Sequence, residues 1–211
     1  MENPPHIAEP VALARPRAAH RFEAFSPKLG RRMTFYRRAL LEQWVLLEAD
    51  PLVITFCERP GYVQMNGHNR LADFWARYVD RDELVILDDI PCEGITTKPD
   101  RALDENRLAI RQVVSAELAA ARIWIENWQR MLPCLIANRG LMSPTLPQAI
   151  ARFARQPQRL LDIEREFSTG DPVLVRAAVF DLLHNGRVSA PDLRTQPLSL
   201  LTSFVASEAQ S

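Results

Sequence analysis

Two carboxylates are the strongest candidates for chemistry in this chain. Glu42 falls on a predicted helix, and Asp73, 31 residues later, falls on a predicted strand. Carboxylate oxygens suit Mg²⁺, and a bound Mg²⁺ neutralises charge on a phosphate and lowers the pKa of an attacking water. The pair therefore predicts a site for metal-dependent hydrolysis of phosphodiesters.

No lysine lies on the predicted strand that follows Asp73. A lysine beside the cation would orient the water and stabilise its developing charge, but the next predicted strand reads ELVILDD. Asp88 in that strand can supply a metal ligand and not a positive charge. Only Lys28 and Lys98 are lysines, so 24 of the 26 basic residues are arginines. Lys98 can complete the site if its loop folds back over the strand; otherwise it is an exposed loop residue.

The elements that position these residues follow from periodicity and turn signals. Apolar residues recur at helical spacing from Phe35 to Leu47, and the helix should end at Asp50-Pro51, because proline disfavours helical geometry in the preceding residue. Short extended runs should follow, separated by Pro, Gly and Asn turn signals. They are Leu52 to Cys57, Tyr62 to Met65, Leu71 to Val79 and Leu84 to Leu87.

The second half of the chain should be helical. Residues 103–132 hold no Pro or Gly and predict one long helix or two joined helices, and a further helix should run from Gln148 to Phe167, bent at Pro157. Asp171 and Pro172 should begin a helix that ends at His184. Shorter helices are predicted at 190–195 and from Pro197 to Val205. Such short helices outline a helix-turn-helix or winged-helix module, which either contacts DNA or is a structural cap.

Three segments are therefore predicted: a flexible basic arm at 1–25, an α/β domain at 26–140, and a helical C-terminal module at 141–211. The chain has no net charge, but residues 1–40 hold eight basic and three acidic residues. Such a local excess either contacts phosphates or is a solvated face. The arginines that we predict to contact DNA are Arg31, Arg32, Arg37, Arg38, Arg187 and Arg194.

Several motifs in the first domain resemble the TnsA family, the endonuclease subunit of heteromeric transposases. They are S-x-K-L-G-R at 26–31, a helix pattern at 35–42 that ends L-L-E, L-L-E-x-D-P-x-V at 46–53, F-x-E-x-P at 56–60, and the pair Asp73-Phe74. The resemblance implies a restriction-endonuclease-like core with a mixed sheet, followed by helices and the C-terminal module. It also implies that Glu42 and Asp73 bind Mg²⁺, and that double-stranded DNA and a transposase are the partners.

The chain departs from this family at two positions. Ala72 replaces the usual proline before Asp73, and the usual Q/E-x-K motif is replaced by Ile86-Leu87-Asp88-Asp89. The predicted function is therefore a TnsA-like endonuclease subunit with impaired cleavage at transposon ends. The alternatives are a non-catalytic subunit that binds DNA or the transposase, and a helical regulator with a chance resemblance.

Composition narrows the range of possible functions and cellular compartments. Gly is scarce at seven residues and no Gly-rich phosphate loop is present, which argues against nucleotide hydrolysis. Three separated cysteines indicate a reducing compartment, and no apolar run is long enough to span a membrane. We therefore expect a cytoplasmic protein. The four histidines are scattered without metal-ligand spacing, so we expect each to be a surface or capping residue.

Overall fold

The computed structural model describes residues 9–65, 67–88 and 108–207. Over these residues the chain is an α/β protein with six α-helices and a mixed sheet of four strands. It forms two compact units. The second unit comprises Glu48–Pro51 and the residues from Ala120 onward, and the first comprises the rest. The main boundary thus lies between Ala119 and Ala120, whereas the sequence predicted one at 140.

The first unit begins with an antiparallel hairpin of β1 (Phe22–Ser26) and β2 (Arg31–Phe35). Gly30 has a φ of +65°, which glycine adopts without strain in this tight turn. The predicted start of the first helix, at Phe35, is wrong. Met33 and Phe35 are buried while their neighbours in β2 are more accessible, so a period of two governs this segment.

The first helix, α1, spans Arg38–Ala49 and carries Glu42, as predicted. It ends directly before Asp50-Pro51, at the predicted position. Its Trp44 ring lies 6.0 Å from the ring of Phe35, measured between centroids, and Phe35 lies 6.1 Å from Phe74 of the sheet. These aromatic contacts pack α1 and the hairpin against the sheet.

The main sheet consists of β3 (Thr55–Glu58), β6 (Phe74–Arg77), β7 (Asp82–Leu87) and β8 (Ala109–Val113), in that order. The first three strands are antiparallel neighbours, and β8 runs parallel to β7. A separate hairpin is formed by β4 (Tyr62–Met65) and β5 (His68–Leu71). A buried cluster between the main sheet and this hairpin contains Cys57, Val63, Ala72, Trp75, Leu84 and Ile86.

The structure corrects the predicted helix at 103–132 in its first part. Residues 109–113 form β8, and helices begin only with α2 (Ser115–Ala120). Four of the five β8 residues are exposed, so the strand has no apolar face that would reveal it in the sequence. Hydrogen bonding to β7 stabilises β8, and β7 is distant from β8 in sequence.

The second unit contains α3 (Arg122–Asn138), α4 (Thr145–Phe153), α5 (Leu160–Phe167) and α6 (Val173–His184). Three short strands form a sheet in the order β10 (Val188–Ser189), β11 (Ser203–Ala206), β9 (Gln158–Arg159). A 3₁₀ helix, Pro191–Arg194, lies between β10 and β11.

In this unit α6 has the predicted bounds. The predicted helix from Gln148 to Phe167 is in fact two helices separated by β9, which directly follows Pro157. The helix predicted from Pro197 is wrong, because Ser203–Ala206 is strand β11 and Phe204 is fully buried. No helix among the described residues combines the length and apolar composition needed to cross a bilayer.

Candidate functional site

Asp73 is held at the start of β6 by three hydrogen bonds. It directly precedes the strand, whereas we predicted that it would lie within one. Its N–H donates to the Val85 carbonyl (3.1 Å), and its own carbonyl accepts from the Arg59 N–H (2.9 Å). Its Oδ2 accepts from the Leu87 N–H at 2.8 Å. Strand β7 therefore orients both the backbone and the carboxylate of Asp73.

The surroundings of Asp73 disfavour its charged form. Burial raises its pKa from 3.8 to about 6, and this effect outweighs three others that lower it: the Leu87 amide and the charges of Arg70 and Arg37. Arg70 also donates to the Leu87 carbonyl, so the guanidinium and the carboxylate both bind the same residue of β7. A carboxyl with a pKa near 6 is typical of a functional site.

Glu42 pairs with a residue of its own helix. Arg38 Nε donates to Glu42 Oε1 at 2.7 Å, one turn earlier on α1, and the Glu42 side chain keeps 20% of its surface exposed. Glu42 is not among the groups that shift the pKa of Asp73. The convergence of these two carboxylates on one cation stays a prediction.

Asp73 has a backbone donor and positively charged neighbours. Among the described residues, no three His, Cys, Asp or Glu side chains are grouped so as to hold a metal ion. One oxygen of Asp73 is already bonded to the Leu87 amide, and Arg70 and Arg37 supply positive charge. A cation that binds Asp73 would therefore compete with the charges of Arg70 and Arg37 for this carboxylate.

At the end of β7 the structure describes Asp88 and the strand residues before it. Ile86 and Leu87 are buried, with 0% and 1% exposure, and pack in the core. Asp88 is exposed and its N–H donates to the Val113 carbonyl at 3.0 Å. Asp89 and Lys98 lie outside the described residues, so the predicted role of Lys98 stays a prediction.

Lys28, the other lysine, supports the fold. Its Nζ donates to the carbonyls of Leu47 (3.0 Å) and Val53 (2.9 Å), and it is half-buried. Leu47 is in the last turn of α1, where a cation is favoured by the helix dipole and by the unsatisfied carbonyl groups. The lysine of the S-x-K-L-G-R motif thus fastens the hairpin turn to the end of α1.

The predicted DNA-binding arginines of the first unit differ in their availability. Arg31 forms two hydrogen bonds with Glu58, at 2.8 and 2.5 Å, which raise the pKa of Arg31. Arg38 is paired with Glu42. Arg32 and Arg37 are exposed. Contact of these residues with DNA stays a prediction, and Arg37 is the one that also acts on Asp73.

In the second unit, Arg194 and Arg187 have different surroundings. The guanidinium of Arg194 lies over the Trp124 ring, 4.7 Å from its centroid. Arg187 lines a cavity of about 360 Å³ together with Arg152 and Arg155. Arg152 and Arg155 were not among the residues predicted from the sequence. The spacing of Arg152 and Arg155 on and just beyond α4 was visible, but nothing in the sequence indicated that Arg187 would join them.

His184 contradicts the expectation of a surface or capping residue. It is buried within the second unit, and its Nε2 lies 2.9 Å from Oε1 of Glu48, whose side chain is fully buried. The Trp128 ring is 5.9 Å away in an edge contact. The two partners are 136 residues apart in sequence, so no local pattern reveals the pair.

We compared the chain with known proteins. No protein-family model matches it, and no curated protein matches it.

Proposed function

We propose that this protein is a TnsA-like subunit that acts in the cytoplasm on transposon DNA. In this proposal it binds double-stranded DNA and a partner transposase and does not itself cleave the DNA. The observation that carries the proposal is the environment of Asp73, which is bonded to a backbone amide and lies within the field of two arginines. The two arginines can attract an anionic phosphate, and they compete with a divalent cation for Asp73.

The architecture of the first unit supports a scaffold related to that of the nuclease family. A helix, α1, is followed by a mixed four-stranded sheet, as the resemblance implies. The family motifs have structural partners in this scaffold. Arg31 of S-x-K-L-G-R pairs with Glu58 of F-x-E-x-P, which is 3% exposed. Arg31 and Glu58 therefore have a role in folding that does not depend on cleavage.

The structure of the second unit supports binding to DNA phosphates more than recognition of base edges. α5 and α6 followed by β10 and β11 have the order of a winged-helix module, in which α6 would be the recognition helix. Eight of the twelve residues of α6 are buried and the other four are half-buried. A helix in a major groove needs a face of exposed side chains, and α6 has none.

Cleavage and binding assays on the full chain test the proposal. We expect the protein to bind a DNA duplex in the presence of EDTA, with an affinity that falls steeply with salt. A supercoiled plasmid carrying the transposon ends should stay intact with the protein alone and Mg²⁺ or Mn²⁺, and the protein should add no strand cleavage to that made by its transposase. Site-specific nicking by the wild-type protein that is lost in Asp73→Asn would contradict the proposal.

The second candidate is a functional endonuclease that uses Lys98. The raised pKa of Asp73 and the position of Asp88, exposed directly after β7, favour it. In that case Lys98→Ala should reduce Mg²⁺-dependent cleavage by about 10²-fold or more, because a preorganised group at the attacking water is lost. In a protein that does not cleave, Lys98→Ala changes nothing, and Asp88→Lys is the variant that tests whether returning the charge restores activity.

A further inference from the structure

We propose that the cavity between α4 and the β10–β11 strands of the second unit binds the phosphates of a nucleic-acid backbone through Arg152, Arg155 and Arg187. The inference deepens the proposed function, on which it rests, by assigning DNA contact to a defined site. That site differs from the surroundings of Asp73, and only Arg187 among its arginines was expected from the sequence.

Two walls build the cavity, which has a volume of about 360 Å³. One wall is a stripe of α4 and the residues just after it, where Gln148, Arg152 and Arg155 follow helical spacing and so share a face. The opposite wall holds Arg187 and Ser207, which are joined by a hydrogen bond from the Ser207 N–H to the Arg187 carbonyl (3.0 Å).

The two walls are also joined directly. The Ala206 N–H donates to the Ala154 carbonyl at 2.7 Å, which ties the end of β11 to the end of α4. The backbone that carries the three arginines is thus held by hydrogen bonds on both sides. A site on hydrogen-bonded elements keeps its geometry better than one on free loops.

The positive charge of the cavity has no carboxylate partner among the residues that the structure describes. The seven residues that line it include three arginines and no carboxylate. None of the three guanidinium groups makes an ion pair or a side-chain hydrogen bond with the residues that the structure describes. Arg176 in the same unit differs, because it makes two hydrogen bonds to Glu164, at 2.5 and 3.2 Å. Like charges around one cavity repel, and a bound anion relieves that repulsion.

The chemistry of the lining indicates a backbone phosphate. Guanidinium groups bind phosphate oxygens in a bidentate manner, and Gln148 and Ser207 add neutral hydrogen-bonding groups. The lining has no aromatic side chain on which a base could stack. The ligand should therefore be recognised by its phosphates, independently of base sequence.

A charge-matched comparison of variants tests the inference. The cavity variant is Arg152→Gln/Arg155→Gln/Arg187→Gln, and the control is Arg130→Gln/Arg159→Gln/Arg165→Gln, which removes three exposed arginines of the same unit that do not line the cavity. Binding of a fluorescent DNA duplex to the full chain is measured by anisotropy over a range of salt concentrations. We expect the cavity variant to bind about tenfold or more weakly, with a slope of log K against log salt reduced by about 2 to 3. The control should change the slope much less.

The outcomes separate this inference from the proposed function. If the cavity variant keeps the slope of the control while wild-type protein binds DNA, the cavity inference is overturned and the proposed function stands. If the wild-type protein binds no DNA, calorimetric titration with inorganic pyrophosphate tests the cavity instead. Binding of pyrophosphate that the cavity variant loses would support a phosphate site and overturn the proposed function. The absence of both kinds of binding overturns both. Thermal unfolding checks each variant, and Arg187→Gln alone replaces the triple variant if that does not fold.

Discussion

Glu58 and Asp73 lie on adjacent strand ends of one sheet, yet their carboxylates are stabilised to very different degrees. Glu58 ends β3, paired in register with Phe74, the residue after Asp73. Glu58 is 3% exposed and receives two hydrogen bonds from Arg31. The Asp73 carboxylate receives one hydrogen bond from a backbone amide, and its pKa is raised to about 6.

This difference separates a structural carboxylate from a candidate functional one. Burial disfavours charge at both sites, but the guanidinium of Arg31 compensates for it at Glu58. At Asp73 the amide and the two nearby arginines compensate only in part. A proton or a further hydrogen-bond donor can therefore stabilise Asp73, whereas Glu58 already accepts two hydrogen bonds from Arg31.

The second unit contains the same contrast. Glu48 is fully buried and paired with His184, while the described lining of the cavity holds three arginines and no carboxylate. In both units a buried carboxylate is hydrogen-bonded to a side chain of another element, while other charged groups keep exposed surface. Charged groups in perturbed surroundings are candidates for binding sites.

The largest expected effect comes from breaking the buried pair of the second unit. Glu48→Ala leaves His184 buried without this partner and should reduce the free energy of unfolding by about 3 kcal/mol. Urea denaturation of the full chain measures it, with Glu126→Gln as a control. Glu126 is on the exposed side of α3 in an i,i+4 pair with Arg122, so its loss should cost less than about 0.5 kcal/mol. Equal destabilisation by the two substitutions would show that the buried pair is not special.

Breaking the structural pair of the first unit should have the next largest effect. Glu58→Ala leaves the half-buried Arg31 unpaired and should cost about 2 kcal/mol, less than at Glu48 because 35% of the Arg31 side chain is exposed and screened by water. The same denaturation experiment measures it. A loss as small as that of Glu126→Gln would show that the pair of Glu58 and Arg31 does not stabilise the fold. Glu58 would then not differ from Asp73 as a structural carboxylate.

Asp73→Asn should change stability in the opposite direction. The folded protein raises the pKa of Asp73, so the folded state binds its proton more tightly and wild-type stability falls as the pH rises from 3.8 to about 6. Above that range the variant should be more stable than wild type by up to about 3 kcal/mol, the free energy that corresponds to this rise in pKa, and below pH 3.8 the difference should vanish. Urea midpoints measured across this range check the sign. The exposed Asp88→Asn is the control, and a destabilised Asp73→Asn at neutral pH would contradict the argument.

The smallest expected effect concerns Arg37, which is exposed and lowers the pKa of Asp73. Arg37→Gln should raise that pKa further, which NMR titration of the Asp73 carboxyl carbon detects. If Arg37 also contacts a phosphate, the salt slope of DNA binding should fall by about 0.9. A pKa change with an unaltered slope would restrict Arg37 to the Asp73 site.

Local signals predicted the elements whose ends carry their own stop residues. The bounds of α6 follow from Asp171-Pro172 before it and Asn185-Gly186 after it, and the Asp171 Oδ1 does accept from the Val173 N–H at 3.0 Å. The end of α1 followed from Pro51 in the same way. β8 and β11 were missed because each is stabilised by strands distant in sequence, and neither shows a periodic apolar face.

The sequence by itself determined that Glu42 is helical, that Asp73 lies at a strand, and that only two lysines exist to serve a catalytic site. Only the tertiary structure decided how those charges are used. Lys28 binds the carbonyls at the end of α1, Asp73 binds the amide of Leu87, and Arg187 joins Arg152 and Arg155. The physical reason is that helix and turn signals act over a few residues, whereas the partner of a charge is chosen by burial and by the strands and helices that packing brings together.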